Sequence, residues 1–384
     1  MKRSFSTIIF LLIGIPLFSY AATPSLSDIY QSGGPVKILI IPGHDNEFSG
    51  AKYRGVTEAD MAVDLANKIA DTLRTDPRLM VTVSRTKDGY LPELQNYFDT
   101  HQSDVADFIH TKKQETASLI DSGKITNTDN HVPHSNAPDG AVYRLYATNK
   151  WINESGFNLV LHVHFNDYGS RPFEKPGQFS GYTVYVPDDS LPNAEPSFGI
   201  ATKLANRLAR VWKPGVEANK ANNMFPNGII KDYKLIAMGS YRTLDVPSIL
   251  LESSFIYEPQ VQPDLFQKTT DAIARSIGIG LHEYFTNKKS LTRDISYVWK
   301  KNLAKSVVKA KDLKPDNDVL MLQYALAEMD YFPPKGKTQD DCKFDGIYGA
   351  CTISAMRVFQ AKNHLGIDGK AGPKTRAILN KLFK

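Results

Sequence analysis

Four residues of this chain pair a chemically useful side chain with a setting that could expose it: His44, Glu58, His164 and Glu252. His44 follows "ILIIPG", an apolar run closed by Pro-Gly, and Glu58 opens a helical pattern. His164 sits near the end of "NLVLHVHFND", and Glu252 ends "VPSILLE". Taken singly, each has a plainer reading. His44 can cap a loop, and His164 can be a satisfied half-buried imidazole. Glu58 can answer the helix dipole, because acids are favoured in a first turn. Glu252 is harder to dismiss, since a carboxylate directly after Ile249-Leu250-Leu251 is costly unless it is paired or at an open strand end. Together, two imidazoles and a carboxylate suit a three-ligand zinc site with water in the fourth position. A further carboxylate held off the metal can take a proton from that water. Such a site needs rigid ligands, which the ends of strands supply.

The positioning elements are legible as alternating patterns. Val36 to Ile41 is an apolar strand apart from Lys37, and Leu79 to Ser84 alternates as a second. Phe157 to Phe165, Gly181 to Val186 and Ser248 to Leu251 read as further strands. Thr57 to Leu73 reads as a helix capped by Thr57, with Met61, Leu65, Ile69 and Leu73 as its buried stripe. Helical patterns also fill Pro196 to Trp212 and Leu265 to Phe285. Strands alternating with helices predict an α/β fold, a mixed and mostly parallel sheet with helices on both faces. In such sheets sites gather at the carboxyl ends of the strands, where the four residues fall.

The rest of the chain divides into segments of different character. Lys2 and Arg3, the apolar run Ile8 to Phe18 and the small residues of Ser19-Tyr20-Ala21 predict a signal peptide over residues 1–21. The run is too short for a membrane span, so the chain is expected to be exported, periplasmic or wall-associated. In that oxidising setting Cys342 and Cys351 are expected to pair. Residues 22–286 hold the strand–helix pattern, interrupted over about 93–140 by a polar stretch containing His101, His110, His131 and His134. That stretch reads as an insertion, part helix and part loop, and its histidines lack tight metal-ligand spacing. Residues 287–315 form a basic linker: Asn287 to Lys314 carries +7, while the whole chain is only +5. A basic stretch can favour an anionic envelope polymer, but a solvated helical face on a linker is the preferred reading. Residues 316–384 repeat the pattern D-G-x-x-G-x-x-T at Asp345–Thr352 and Asp368–Thr375, each turn feeding a helix. Glycines supply the positive φ of such turns, and no residue of this unit looks catalytic.

The blocks "ILIIPGH", "GVTEADMAVDLANKIADTL", "LVLHVHFND" and "VPSILLESSF" resemble, in order, those of the zinc-dependent N-acetylmuramoyl-L-alanine amidases of the amidase-3 type. The resemblance runs from about Val36 to Phe285. It implies His44, Glu58 and His164 as Zn2+ ligands and Glu252 as the general base. It implies hydrolysis of the amide between N-acetylmuramic acid and L-alanine in peptidoglycan. Two features depart from the family pattern. Asp45-Asn46-Glu47 replaces a glycine-rich run, and His162 stands where a small residue is common. Residues 162 and 164 of a strand share a face, so His162 can compete with His164 or act behind it. In some exported relatives a helix inserted after the second histidine blocks the site. The interval Phe165 to Ser180 is short here, so occlusion by that route is not expected. The repeat unit, about Asn317 to Phe383, resembles the three-helix peptidoglycan-binding domain 1 family.

Peptidoglycan is therefore the expected partner, with no nucleic acid and no membrane span in the mature chain; a protein activator is possible, and the sequence does not reveal whether one is needed. Two rivals stand beside this reading: a zinc peptidase acting on stem peptides, and a non-catalytic wall-binding protein. The intact set His44, Glu58, His164 and Glu252 speaks against the second.

Overall fold

A computed structural model describes residues 24–125, 139–167, 171–215, 225–304 and 314–384. The expected signal peptide, His131, His134 and part of the basic segment lie outside these residues. In chain order the strands are β1 (Val36–Pro42), β2 (Lys52–Tyr53), β3 (Val56–Thr57), β4 (Leu79–Val83), β5 (Leu159–Asn166), β6 (Thr183–Pro187), β7 (Ile229–Asp232) and β8 (Ser248–Phe255). Six of them form one sheet in the order β4-β1-β5-β8-β6-β7, with β2 and β3 as a small separate hairpin. β4, β1, β5 and β8 run parallel, β6 is antiparallel to β8, and β7 is parallel to β6. The expected mixed, mostly parallel sheet is thus present.

Both faces of the sheet are covered, which is why its central strands read as continuous apolar runs. On one face, Ile38, Ile40, Leu161 and Val163 pack into a large core with α2 (Glu58–Leu73), α6 (Ala194–Leu208) and α7 (Pro263–Thr286). A short α1 (Leu26–Gln31) closes this core beside α7. The α2 stripe Met61, Leu65, Ile69 and Leu73 is buried there, and the Thr57 side chain accepts the Asp60 amide at the helix start. Each such fully buried aliphatic side chain contributes about 1.5–3 kcal/mol. On the other face, Leu39 and Val160 pack against α3 (Pro92–Thr100), α4 (Gln102–Asp121) and α5 (Asp139–Ser155). The described part of the polar stretch, up to residue 125, is therefore no loose appendage. Leu94, Tyr97, Phe98 and Val105 give it a buried face that covers one side of the sheet.

The C-terminal unit is three helices, α8 (Asn317–Glu328), α9 (Ala350–Lys362) and α10 (Pro373–Phe383). Its repeat has a physical basis in two buried glutamines. Gln323 Nε2 donates to Asp345 Oδ1 at 3.0 Å and Thr352 Oγ1 at 3.2 Å, while its Oε1 accepts from the Gly346 amide at 3.0 Å. Gln360 does the same for the second turn: Nε2 to Asp368 Oδ1 at 2.8 Å and Thr375 Oγ1 at 3.2 Å, and Oε1 from the Gly369 amide at 2.8 Å. The Asp, second-position Gly and Thr of each motif thus wrap one amide group. Cys342 and Cys351 are disulfide-bonded beside the first turn.

The preferred reading of the basic segment is not what the structure holds. Its described part, 287–304, contains no helix, and Asp294, Ile295, Trp299 and Leu303 are buried. Trp299 donates from its backbone to Asn380 and from its indole to the Asp318 carbonyl, and Leu303 pairs with Ala371. The segment is a strap bound to the C-terminal helices. Ile295, Trp299 and Leu303 recur every four residues, a helical spacing, so their pattern could not announce the non-helical strap that they anchor.

Candidate metal centre

The end of β1 is a tight turn anchored to the neighbouring strand, with the Gly43 amide donating to the Val163 carbonyl at 2.8 Å. His44 then takes a positive φ of 61°, an uncommon conformation for a non-glycine residue and one that clusters at functional sites. This turns its Nε2 to within 3.1 Å of Glu58 Oε2. From β5, His164 brings Nδ1 to within 3.0 Å of Glu58 Oε1. Glu58 is the first residue of α2, is 4% exposed, and is further fixed by the amides of Ala51 (3.0 Å, Oε2) and Phe165 (3.2 Å, Oε1). Burial raises its pKa, but hydrogen bonds from His164 and His44 outweigh that and hold the carboxyl well below the usual range. It is an ionised carboxylate between two imidazoles.

Those three residues form the single group of potential metal donors found among the described residues, with their ligand atoms within 4.8 Å of one another. The fit to a zinc ion is good in kind and spacing. Bonds of about 2.0–2.1 Å in a tetrahedron place ligand atoms about 3.3 Å apart, close to the histidine–glutamate contacts observed. Glu252 lies one strand over, its Cα paired in register with that of His164. It is half-buried and stands outside the three-donor group. The fold thus brings together His44 after β1, His164 near the carboxyl end of β5 and Glu58 at the amino end of α2 as a cluster, with Glu252 of β8 beside them.

The two departures from the family pattern are resolved by their contacts. Asp45 is not turned to the donors. Its Oδ1 accepts from the amides of Glu47 and Phe48, and its Oδ2 accepts from Tyr90 at 2.8 Å and lies 3.2 Å from Arg144. It closes the turn after His44 and ties it to α5. His162 is 2% exposed and outside the donor group. Burial pushes its pKa down to about 3, so the ring is neutral.

Supporting residues that motif reasoning did not select are Arg85, Gly43 and Gly50. Arg85, two residues past the end of β4, is buried, and its Nη2 donates to the carbonyls of Gly43 (2.7 Å) and Ala59 (2.9 Å). Its Nε donates to Pro42 at 3.3 Å. One guanidinium therefore holds the backbone before His44 and the first turn after Glu58. A Cβ on Gly43 would sit 2.3 Å from the His164 ring. A Cβ on Gly50, whose φ is +68°, would sit 2.5 Å from Glu58 Oε2 and 2.6 Å from the His44 ring. The signal available in sequence was an arginine at an apolar strand's carboxyl end and two glycines flanking the histidine.

His44 and His164 line a cavity of about 590 Å³ bordered by Ala141, Arg144, Leu145, Thr148 and Asn149 of α5. Its walls are mostly apolar, including Ile41, Leu94, Leu145, Ile236 and Leu250.

Fold and site together define an α/β protein with a preformed two-histidine, one-carboxylate donor set at its strand ends. Residues 38–283 match the N-acetylmuramoyl-L-alanine amidase family of the Amidase_3 type, and residues 315–379 match a peptidoglycan binding domain of the PG_binding_1 type. The chain belongs to the former family. A curated relative from Bacillus licheniformis, described as a probable N-acetylmuramoyl-L-alanine amidase, is 42% identical over 66 residues, 17% of this chain and 18% of that protein. The chain thus spans less than a fifth of that relative's length. Among solved structures, an N-acetylmuramoyl-L-alanine amidase from Clostridium difficile 630 aligns with a TM-score of 0.42 at 16% identity, covering 66% of this chain and 99% of that one. A Mycobacterium smegmatis N-acetylmuramyl-L-alanine amidase aligns with a TM-score of 0.43 at 13% identity, covering 67% and 99%.

Proposed function

We propose that this chain hydrolyses the amide between N-acetylmuramic acid and L-alanine in peptidoglycan, with His44, Glu58 and His164 holding Zn2+. The observation that carries this reading is the His44–Glu58–His164 donor cluster at the strand ends of a chain of the amidase family. A zinc ion bound there supplies a Lewis acid and a water of lowered pKa. Glu252, beside His164 but outside the donor set, takes the proton of the attacking water on its carboxylate. It then delivers that proton to the amine nitrogen of the leaving alanine. The ionised Glu58 carboxylate, fixed by two backbone amides, balances charge and orients both imidazoles. The catalytic unit is assigned to 22–286 and wall binding to 316–384, in a protein exported past a signal peptide over 1–21.

Purified sacculi digested by the protein provide the test. Mass spectrometry should show lactyl-ended glycans and stem peptides with a free L-alanine amino terminus. Fragments cut within the stem, with the sugar–peptide link intact, would establish a peptidase instead. Chelation should abolish release and zinc should restore it. His44→Ala and His164→Ala should lose most bound metal. Glu252→Gln should keep the metal and lose roughly 10²–10⁴-fold in kcat.

A further inference from the structure

A second groove, of about 320 Å³, lies where the catalytic sheet's loops meet the C-terminal helices. That volume falls at the lower end of the roughly 300–1,000 Å³ of ligand sites. One wall is Gln178, Phe179 and Ser180, in the segment leading into β6, and the other is Gln339, Asp340 and Lys343, between α8 and α9. Solvent reaches all of these residues: Gln178, Asp340 and Lys343 are exposed, and the others are half-buried. The walls are joined, since Ser180 Oγ donates to Asp340 Oδ1 at 2.6 Å and the Lys213 amide donates to Gln339 Oε1 at 2.8 Å. Neither unit makes this groove alone.

The groove lies at the metal end of the sheet. β6 is antiparallel to β8 with Thr183 opposite Glu252, so the chain entering β6 runs past the carboxyl end of β8. The Phe179 amide donates to the Tyr257 hydroxyl at 3.2 Å and the Gly181 amide to Glu258 at 3.0 Å, which fixes that wall on the residues after β8. β2 is the partition between the two pockets: Lys52 lines the cavity shared by His44 and His164, and Tyr53 lines the groove. Arg171 holds this partition. Its Nη2 donates to the Lys52 carbonyl at 2.7 Å, and its guanidinium sits 5.2 and 5.0 Å from the ring centres of Tyr53 and Tyr257.

Two polar side chains of the walls are unused. Gln178 makes no side-chain hydrogen bond, and Lys343 makes neither a side-chain hydrogen bond nor an ion pair, to any described residue. The acids around Lys343 are already engaged: Asp340 with Ser180 and Lys213, Asp345 with Gln323 and the Ile347 amide, and Glu258 with the Gly181 and Phe255 amides and the Ser254 hydroxyl. The groove therefore offers an ammonium, a carboxamide and the half-buried ring of Phe179. An ammonium only donates and carries charge, while a carboxamide both donates and accepts. That set suits a peptide bearing a carboxylate: the ammonium meets the carboxylate, the carboxamide meets a peptide group, and the ring packs on the peptide's apolar part. A neutral sugar would leave the ammonium without a counter-charge.

We propose that this groove is a joint subsite, built by both units, for a carboxylate-bearing stem peptide next to the one whose amide lies at the donors. The inference rests on the amidase reading for the identity of the polymer.

Calorimetric titration of the full chain tests it with three probes that lack the muramoyl amide: L-alanyl-γ-D-glutamyl-L-lysine, the same tripeptide with both carboxylates amidated, and tetra-N-acetylchitotetraose. The acidic tripeptide should saturate, the amidated form should bind at least fivefold more weakly, and the difference should shrink in high salt. Lys343→Met on one wall and Gln178→Ala on the other should each weaken the acidic tripeptide at least fivefold. Lys343→Arg should retain it, and Lys362→Met, at an exposed lysine of α9, should leave it unchanged. Binding should persist after zinc is removed by a chelator. The proposal is overturned by absence of saturable binding, by equal affinity for the acidic and amidated forms, or by equal loss in Lys362→Met. Loss in Lys343→Met alone would confine the peptide to the C-terminal helices, and loss on chelation would place it at the metal; either refutes a joint subsite. Saturable binding of the chitotetraose, weakened by both wall variants, would make the occupant a glycan and refute the peptide. The tripeptide is recovered and weighed by mass spectrometry. Its cleavage would count against the amidase reading, while the effects of the wall variants would still decide the groove.

Discussion

Arg85 should be as important to the candidate centre as a ligand, although it touches none of the three donors in the hydrogen-bond network described. Arg85→Met keeps much of the side chain's volume and removes its donors. The carbonyls of Gly43 and Ala59, at 2.7 and 2.9 Å, each lose a charge-assisted hydrogen bond. Bonds to charged groups are worth about 1.5–3 kcal/mol each. The longer contact to Pro42, at 3.3 Å, adds less. The buried arginine's own desolvation cost disappears with it, so a net loss of about 3–4 kcal/mol in unfolding free energy is expected. The Gly43 carbonyl immediately precedes His44 and that of Ala59 follows Glu58, so both donors lose their backbone support. Loss of such outer support typically lowers metal affinity about 10–100-fold. Urea titration measures the first effect, and competition with a zinc chelator measures the second. Arg85→Lys, with one ammonium for several acceptors, should fall between. If Arg85→Met stays within about 1 kcal/mol of the parent and binds zinc equally well, the guanidinium is not what positions the two donors.

The two glycines beside the donors make sharper steric predictions. Gly50→Ala should lose metal binding as well as stability, because its Cβ would sit 2.5 Å from Glu58 Oε2 on a backbone of φ +68°; unchanged zinc stoichiometry would contradict this. Gly43→Ala, with a Cβ 2.3 Å from the His164 ring, should displace that imidazole and shift its NMR signals, and an unaltered spectrum would count against it. A pH effect is expected far from the site, at Asp76, whose pKa is held down to about 2 chiefly by hydrogen bonds from Arg78. A depressed carboxylate stabilises the fold above its unfolded pKa near 3.8 and loses that contribution as pH falls toward 2. Asp76→Asn should therefore be less stable at neutral pH and show a shallower loss between pH 4 and 2; equal acid slopes would remove Asp76 from the account.

How much of this was readable from sequence depends on distance along the chain. The P-G-H turn, the capped helix opening at Glu58 and the strand ending in His164 are local signals. A parallel sheet with its sites at strand carboxyl ends then brings together residues separated by more than a hundred positions. β7 escaped because its four residues offer only Ile229 and Ile230 as a signal. The helix expected somewhere in the 93–140 stretch could not be placed, because Val105 and Thr116 are the buried residues of α4, too few for a helical stripe. Arg85 was opaque for another reason: its partners come from β1, the following turn and α2, and no sequence pattern announces backbone acceptors. The repeat in 316–384 was visible, but its cause was not. Gln323 precedes its aspartate by 22 residues and Gln360 by 8, so the glutamines do not share the repeat's period.

The sequence also suggested two separable units on a linker, and here the packing argues for a different behaviour. Trp212 packs on Tyr324 with ring centroids 5.1 Å apart, and Thr269 hydrogen-bonds the Tyr324 hydroxyl at 2.9 Å. Around this contact lies a buried ionic group. Arg207 meets Glu283 at 2.6 Å and Asp294 at 3.4 Å, and Arg210 meets Asp294 and Glu328, both at 3.1 Å. Glu328 also accepts the amides of Asp294 and Ile295 at 3.1 Å. These partners come from α6, α7, the strap and α8, so the C-terminal helices are fastened to the catalytic sheet's own helices. A chain ending at Lys289 loses Asp294 and Glu328 together, leaves Arg207 with Glu283 alone, and uncovers Trp212 and Leu265. Breaking a buried pair by removing one side costs about 3–5 kcal/mol. That is a large share of the roughly 5–15 kcal/mol that stabilises a typical domain. The shortened chain should therefore melt well below the full chain and lose activity on soluble muropeptides through unfolding, although its donor cluster is untouched. The full chain should unfold in one transition, and Glu328→Gln, which weakens the junction while keeping every residue in place, should split it into two. If the full chain already shows two transitions, and the chain ending at Lys289 is as stable and active as the whole, then the module is a tether rather than a fixed part of the enzyme. Wall binding would then act by raising local concentration alone. With the module fixed, it also sets the angle at which the catalytic cleft meets the polymer.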